Sequence, residues 1–154
     1  MKKLLFVILT LVTLICIAKD FRYKFGETKE GQPTIAYDDK DWMFLKKEND
    51  YKFFANRGGY AKTSNDLVIF HSMVVFDKPR MPEGTDIPIS KVFSYGLIDC
   101  ESATFSLMND IYVDKDHKVV FDTKYEPGEY LVNLNAPDTA RYEAYISVCK
   151  TTSI

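Results

Sequence analysis

The sequence predicts a mainly β, α+β protein: a single antiparallel, meandering sheet with one C-terminal helix packed on it and stapled by a disulfide bond. From Trp42 onward, short apolar segments alternate with turn-forming residues about every 8 to 12 positions, which is typical of antiparallel strands. Aromatic residues, which favour strands, make up 14% of the chain. Near the C-terminus the apolar residues change to helical spacing. The 46% hydrophobic and 27% charged fractions are those of a folded domain.

The N-terminus has the pattern of a secretory signal peptide. Two lysines follow Met1, and residues 4–18 carry no charge. This run is shorter than the roughly 20 apolar residues of a transmembrane helix, but it fits the apolar core of a signal peptide. Cys16 and Ala18 are small enough for positions −3 and −1 of a signal-peptidase site. We therefore expect cleavage after Ala18 and no transmembrane segment in the mature chain.

Two other fates of the N-terminus stay open. Cys16 could carry a lipid anchor, although the branched Ile15 fits poorly at the position before a lipidated cysteine. An uncleaved N-terminal anchor is the third alternative. The expected organisation is a signal peptide at 1–18, a flexible lead-in at 19–41 and a β domain at 42–150.

Charge and cysteine content bear on compartment and partners. The net charge is −2, and loss of residues 1–18 removes two lysines and no acid, which leaves a mildly acidic chain. This is not the basic footprint of a nucleic-acid-binding protein. The mature chain keeps two cysteines, Cys100 and Cys149, and an even pair in an oxidising compartment predicts a disulfide. Two free thiols are the alternative.

The apolar segments of the sequence give the expected positions of the strands and of the loops between them. Residues 19–41 are rich in charge and lack a sustained period, with one short strand expected at 33–37. The later strands are expected in the segments WMFLKK, YKFFAN, YAKT, LVIFHSMVVF, ISKVFSYGLIDC, SATFSLMNDIYVD, VVFDTKY and YLVNL. Glycines at 58–59 favour a tight reversal there, and 77–88, with three prolines, is expected to be a loop. LVIFHSMVVF is apolar on both faces and is expected to be central.

The last segment, NAPDTARYEAYISVCK, predicts the helix. Apolar residues fall on one helical face at i, i+3, i+4 and i+7, namely Tyr142, Tyr145, Ile146 and Cys149. Asn135 or Asp138 is expected to cap its first turn. Because Cys149 lies on the apolar face, it can reach Cys100 at the end of a strand.

These motifs together resemble the surface-adhesin protein E family of Gram-negative bacteria. The resemblance rests on Trp42 opening the domain, on YKFFANRGGYAK, on SYGLIDCESATF with Cys100, and on NLNAPDTARYEAYISVC with Cys149. It covers about residues 42–150. It implies an exported antiparallel sheet with a disulfide-bridged C-terminal helix. It also implies a role in binding host or surface molecules, in the periplasm or at the cell outer membrane, and no catalytic residues.

Candidate catalytic and metal-binding residues are few. His71 and Ser72 are adjacent on a strand and should point to opposite faces, and no nucleophile-elbow motif is present. Asp110, Asp114, Asp116 and His117 gather in DIYVDKDHK, but a calcium loop needs a glycine and a distal Glu that are missing. We expect a solvated turn, no catalytic residues, no bound metal and no cofactor. Haem binding through His71 or a tyrosine lacks an attachment motif.

The aromatic residues are divided between core and surface. The phenylalanines are expected in the sheet core, and the tyrosines are less certain because a phenol can lie half in water. Trp42 is expected to close one end of the sheet. The core candidates are Phe53, Phe54, Phe70, Phe76 and Phe93, and the uncertain tyrosines are Tyr51, Tyr60, Tyr95 and Tyr130.

The leading functional hypothesis is an exported, non-enzymatic binding protein that recognises a host or envelope macromolecule through a sheet edge and the loop at 77–88. An unpaired edge could take a strand of a partner or a second copy of the chain as a homodimer. The alternative is a periplasmic inhibitor, which should present a rigid loop, or a carrier of a small ligand such as haem, which should contain a cavity.

Overall fold

The structure, a computed structural model, describes residues 23–27, 33–57, 61–62 and 66–150. The expected signal peptide and cleavage site after Ala18, the turn at 58–60 and Tyr60 lie outside these residues. The elements are β1 (Tyr23–Glu27), β2 (Pro33–Tyr37), a 3-10 turn (Asp39–Asp41), β3 (Trp42–Lys47), β4 (Tyr51–Asn56), β5 (Ala61–Lys62), β6 (Leu67–Arg80), β7 (Ile89–Asp99), β8 (Thr104–Val113), β9 (Val119–Lys124), β10 (Leu131–Asn133) and α1 (Ala140–Tyr145), which continues as a π-helical turn (Ile146–Lys150).

In the described part of the chain, eight strands form one antiparallel sheet, and six of them follow one another in the order β10-β8-β7-β6-β4-β3. β5 pairs with β6 beyond the end of β4, and β9 pairs with β8 beyond the end of β10. β1 and β2 form a separate antiparallel hairpin. The predicted fold class, an antiparallel sheet with one C-terminal helix and a disulfide, is confirmed.

β6 lies at the centre of the sheet because its sequence can be buried on both faces. Val68 and Phe70 are buried on the side of α1, and Met73 is buried on the opposite side. An uninterrupted apolar run is what a strand covered on both faces requires.

Two hydrophobic cores lie on the two faces of the sheet. On one face, which we call the helix face, Phe70, Ile98 and Leu134 pack with Ala144 and Val148 of the C-terminal helix. On the other, which we call the hairpin face, Ile35 of β2 packs with residues that include Trp42, Met73, Phe93, Ile111 and Val113. The expected strand at 33–37 therefore exists and packs against the sheet, whereas β1 was not predicted. Trp42 contributes to this second core.

The predicted loop at 77–88 begins later than expected. β6 continues through Arg80, which pairs with Ile89, and the connecting loop is only residues 81–88. The register shifts between Val75 and Arg80, so Pro79 occupies an irregular part of the strand. Proline is tolerated at such a position because its missing N–H is not required by a regular ladder.

The predicted helix is present, but its cap was assigned wrongly. Thr139 is the N-cap, and its Oγ1 accepts a hydrogen bond from the Tyr142 amide at 3.2 Å. Asp138 has a φ of 63°, outside the extended conformation that an N-cap normally adopts, and Asn135 lies before Thr139 by more than one helical turn, outside the N-cap position.

The helix docks by a face slightly rotated from the predicted one. Its buried residues include Ala140, Ala144 and Val148, which were not predicted to face the core. Tyr145, which was, is also buried. The other predicted members, Tyr142, Ile146 and Cys149, are partly buried and pack against the same core. Cys149 is bonded to Cys100 across a Cα–Cα distance of 5.5 Å, so the disulfide joins the last turn to the end of β7.

Candidate functional site

A cavity of about 280 Å³ lies on the helix face of the sheet. Its walls come from the central strands, from the segment leading into β10 and from α1. Aromatic side chains dominate these walls: Tyr51, Phe53, Phe70, Phe105, Tyr112, Tyr125 and Tyr130. Small-molecule sites are concave and mostly apolar with a few polar groups, and this cavity has that composition.

A row of polar side chains crosses the floor of the cavity. Ser72 of β6 is opposite Ser94 of β7, and Ser94 is opposite Asp110 of β8. All three line the cavity, and Ser72 and Asp110 are only 4% and 8% exposed. Residues in register on neighbouring strands point to the same face, so the antiparallel pairing itself aligns the two hydroxyls with the carboxylate.

Asp110 is the buried charge of this row. The Ser94 hydroxyl donates to its Oδ1 at 2.6 Å, and the Tyr112 hydroxyl lies 3.3 Å from Oδ2 as a second donor. Burial raises the pKa of Asp110, while these two hydrogen bonds act in the opposite direction by favouring the carboxylate. The pKa of Tyr112 is raised by its own burial and by the negative charge of Asp110.

The segment from Tyr125 to Tyr130 forms the rim of the cavity and interrupts the edge of the sheet between β9 and β10. The Tyr125 amide donates to the Met108 carbonyl at 2.9 Å, and the Leu107 amide donates to the Tyr130 carbonyl at 3.0 Å. The rings of Tyr125 and Tyr130 are 5.6 Å apart. Tyr130 is 48% exposed and Leu131 is 61% exposed. We call residues Tyr125–Leu131 the aromatic edge.

His71 and Ser72 lie on opposite faces of the sheet, as predicted. Ser72 lines the cavity on the helix face, whereas the His71 ring is 4.9 Å from the Tyr95 ring. Burial lowers the pKa of His71 to about 4. The neutral imidazole is therefore the stable form in the folded protein at neutral pH.

The residues of DIYVDKDHK are distributed over two different sites. Asp110 faces the cavity, while Asp114 Oδ1 accepts hydrogen bonds from the amides of Asp116 and Lys118 at 2.8 and 2.9 Å. His117 lies beside Lys91, with Nε2 and Nζ 2.8 Å apart. Burial and the Lys91 charge lower the pKa of His117. Within the described ranges, no group of three or more His, Cys, Asp or Glu side chains converges as metal ligands do.

The predicted aromatic core is partly observed. Phe70 and Phe93 are buried, and the other three candidates, Phe53, Phe54 and Phe76, are partly buried. Three of the four tyrosines whose location was uncertain are described by the structure. Tyr51 and Tyr95 are partly buried, and Tyr130 is exposed.

The cavity is not evident from the sequence. Of its polar row, Ser72 was a candidate only beside His71, Asp110 was a candidate only within an acidic turn, and Ser94 was not a candidate. Ser72, Ser94 and Asp110 are polar residues within three otherwise apolar strands, and this pattern could have indicated the site. Placing the three side chains on the same face requires the register of the strands.

The loop at 81–88 is mostly exposed and presents two apolar side chains. Met81 is 61% exposed and Ile87 is 47% exposed. Thr85 Oγ1 accepts a hydrogen bond from the Ile87 amide at 3.0 Å, which fixes the second half of the loop locally. Among the residues that the structure describes, no helix combines the length and apolar character needed to cross a membrane.

Comparison with known proteins gives matches at the level of structure. No family model matches the chain, and no curated protein matches it. Crystal form II of Haemophilus influenzae protein E superposes with a TM-score of 0.53 at 16% identity, covering 72% of this chain and 88% of that one. Its selenomethionine form gives 0.52 at 15% identity, covering 78% and 92%. Protein E from non-typeable Haemophilus influenzae gives 0.50 at 18% identity, covering 71% and 76%. The chain therefore has a protein E-like fold, as the resemblance of its sequence motifs implied.

Proposed function

We propose that this chain is an exported, non-enzymatic binding protein that recognises a host or envelope macromolecule. The observation that carries the proposal is the protein E-like fold, in which a disulfide holds the C-terminal helix on the sheet. The proposal includes signal cleavage after Ala18, delivery to the periplasm or the cell surface, and the domain division given above. A disulfide between Cys100 and Cys149 supports export, since such bonds persist in oxidising compartments.

The aromatic edge is the proposed recognition surface. Tyr130 and Leu131 are exposed apolar residues at one edge of the sheet, and within the described part of the chain no strand pairs with the outer side of β10. Aromatic residues are enriched at protein interfaces, and an unpaired edge offers backbone hydrogen bonds to a partner strand. A macromolecular partner, or a second copy of the chain, would add to β10 and cover these side chains.

A capture experiment tests this proposal. The mature protein, immobilised at micromolar concentration, is incubated with host-matrix and bacterial envelope extracts, and retained proteins are identified by mass spectrometry. The variant Tyr130→Ser/Leu131→Ser should lose the retained partner. The matched control is Phe44→Ser, which removes an apolar side chain that is 53% exposed on β3, at the opposite edge of the sheet. Retention of no partner, or equal loss in both variants, would contradict the proposed surface.

The cavity favours a second candidate function, binding of a small ligand. A carrier needs a concave site with apolar walls, and the partly open cavity on the helix face supplies one of about 280 Å³. Ligand-detected NMR on the purified protein, with small aromatic compounds as probes, tests whether the cavity binds any ligand.

A further inference from the structure

The cavity on the helix face combines a buried carboxylate with aromatic walls. We propose that it binds a small organic cation, whose ammonium group contacts the Asp110 carboxylate and whose apolar part lies between tyrosine rings. This inference rests on the second candidate function, since it names the chemical class of ligand that the cavity takes.

Asp110 is a buried carboxylate whose hydrogen-bond partners carry no positive charge. Its two hydrogen-bond donors, Ser94 and Tyr112, are neutral hydroxyls. Among the described residues, no lysine, arginine or histidine forms an ion pair with it. Burying a carboxylate without an opposite charge is costly, so a cation that enters the cavity gains a favourable partner.

The Asp110 carboxylate can also accept more hydrogen bonds than it receives from Ser94 and Tyr112. An ionised carboxylate has about four acceptor positions, and Ser94 and Tyr112 occupy two of them. An ammonium group has three N–H donors. It can therefore satisfy the remaining positions of Asp110. The hydroxyl of Ser72, two strands away on the same floor, offers a further acceptor to the rest of the ligand.

The aromatic walls of the cavity are also suited to a cation. The faces of aromatic rings carry partial negative charge and attract cations within about 6 Å, and tyrosines supply four of the seven aromatic rings that line the cavity. One of these walls is fixed in place, because the Tyr112 ring stacks on Phe121 with centroids 4.1 Å apart and an interplanar angle of 18°. A carboxylate below aromatic rings is a chemical match for an amine.

Among the described residues that line the cavity, the only basic side chain lies away from Asp110. Arg141 reaches the cavity near Tyr51 of β4, and β4 is separated from β8 by β6 and β7. At that end Glu48 and Asp50 also act on Tyr51, so both signs of charge are present there. The cavity is negative where Asp110 lies.

Three probes that differ in one terminal group test the inference. Tyramine carries an ammonium group, tyrosol a hydroxyl and 4-hydroxyphenylpropionate a carboxylate, each on a phenol with a two-carbon linker. Each is titrated into the purified, ¹⁵N-labelled protein, and binding is followed by amide chemical shifts. We expect tyramine to bind at least about tenfold more tightly than tyrosol, the preference that one charge-assisted contact gives, and the acid not to bind. The shifts should centre on Ser94, Asp110 and Tyr112.

A variant removes the charge while keeping the shape. Asp110→Asn should abolish the preference for tyramine over tyrosol, whereas Asp122→Asn, which removes the same charge from an exposed position of β9, should keep it. If Asp110→Asn does not fold, the comparison of the three probes on the unmodified protein decides by itself. Equal binding of tyramine and tyrosol overturns the inference but leaves small-ligand binding intact. No binding of any probe overturns both.

Discussion

Removal of the Cys100–Cys149 disulfide should destabilise the protein strongly. The bond closes a loop with a sequence separation of 49 residues. In the chain-entropy model, a cross-link of this span stabilises the folded state by about 4 kcal/mol at 25 °C, as an upper value. With an m-value of about 2 kcal/mol/M, the urea midpoint should fall by up to about 2 M.

The C-terminal helix is the element that depends on this bond. The α-helical and π-helical segments contain only 6 and 5 residues. Isolated helices shorter than about 12 residues are marginal in water, so this helix needs its docking contacts. Besides the disulfide, these contacts include burial of Ala144 and Val148 and a hydrogen bond from the Ala140 amide to Glu48 Oε1 at 2.8 Å.

Urea unfolding of four samples measures the effect. The wild type and the Cys100→Ala/Cys149→Ala variant are each unfolded with and without reductant, and the fluorescence of Trp42, buried in the hairpin-face core, reports unfolding of the sheet. Reductant should lower the midpoint of the wild type and leave that of the variant unchanged. Equal midpoints and m-values for the oxidised and reduced wild type would refute the claim that the Cys100–Cys149 disulfide stabilises the folded protein.

Three further perturbations have defined outcomes. Gly96→Ala should cost about 3 kcal/mol in urea unfolding, because a Cβ there would collide with the Ser106 carbonyl oxygen and the Phe105 ring, and an unchanged midpoint would contradict this close approach. Burial lowers the pKa of His71 to about 4, below its ordinary value, so the unfolded chain takes up this proton first as the pH falls. The free energy of unfolding should therefore decrease by up to about 3 kcal/mol between about pH 6.5, where His71 is neutral in both states, and pH 4. In His71→Gln this free energy should decrease less over the same pH range, and an equal decrease in wild type and variant would contradict the role of His71. Thr139→Ala should cost about 1 kcal/mol through loss of the helix cap, and Thr139→Ser should restore most of it.

Most of the strands from Trp42 onward were predictable because each has a local signal. LVIFHSMVVF of β6 and WMFLKK of β3 are bounded by turn residues, and the apolar pattern alone locates them. The far end of β6 was not predictable, because Asp77-Lys78-Pro79-Arg80 has the composition of a loop. Only the pairing of Arg80 with Ile89 around an irregular segment keeps these residues in the strand.

The β1–β2 hairpin was only half predictable, because its strand at 33–37 was expected from the sequence and β1 was not. The packing of β2 against the sheet was not predicted either. β2 contains Ile35, which is 1% exposed, and its neighbours in sequence are polar or small. A single apolar residue between charged segments gives no periodicity. Its burial against Trp42 and Phe93 is a tertiary contact, which a local pattern does not encode.

The cavity could not be predicted because it depends on register. Ser72, Ser94 and Asp110 are far apart in the chain, and a shift of one residue in either strand pair would send one side chain to the opposite face. The disulfide could be predicted without knowledge of the strand register, because only two cysteines follow residue 18.

The most direct test of the central proposal, an exported and disulfide-stapled binding protein, is the intact mass of the protein purified from the cells that make it, with and without reductant. We expect a chain that begins at Lys19 and is lighter than its reduced form by two hydrogen atoms. A full-length chain with two free thiols at Cys100 and Cys149 would contradict both export and the staple. A chain that begins at a lipidated Cys16 would contradict cleavage after Ala18.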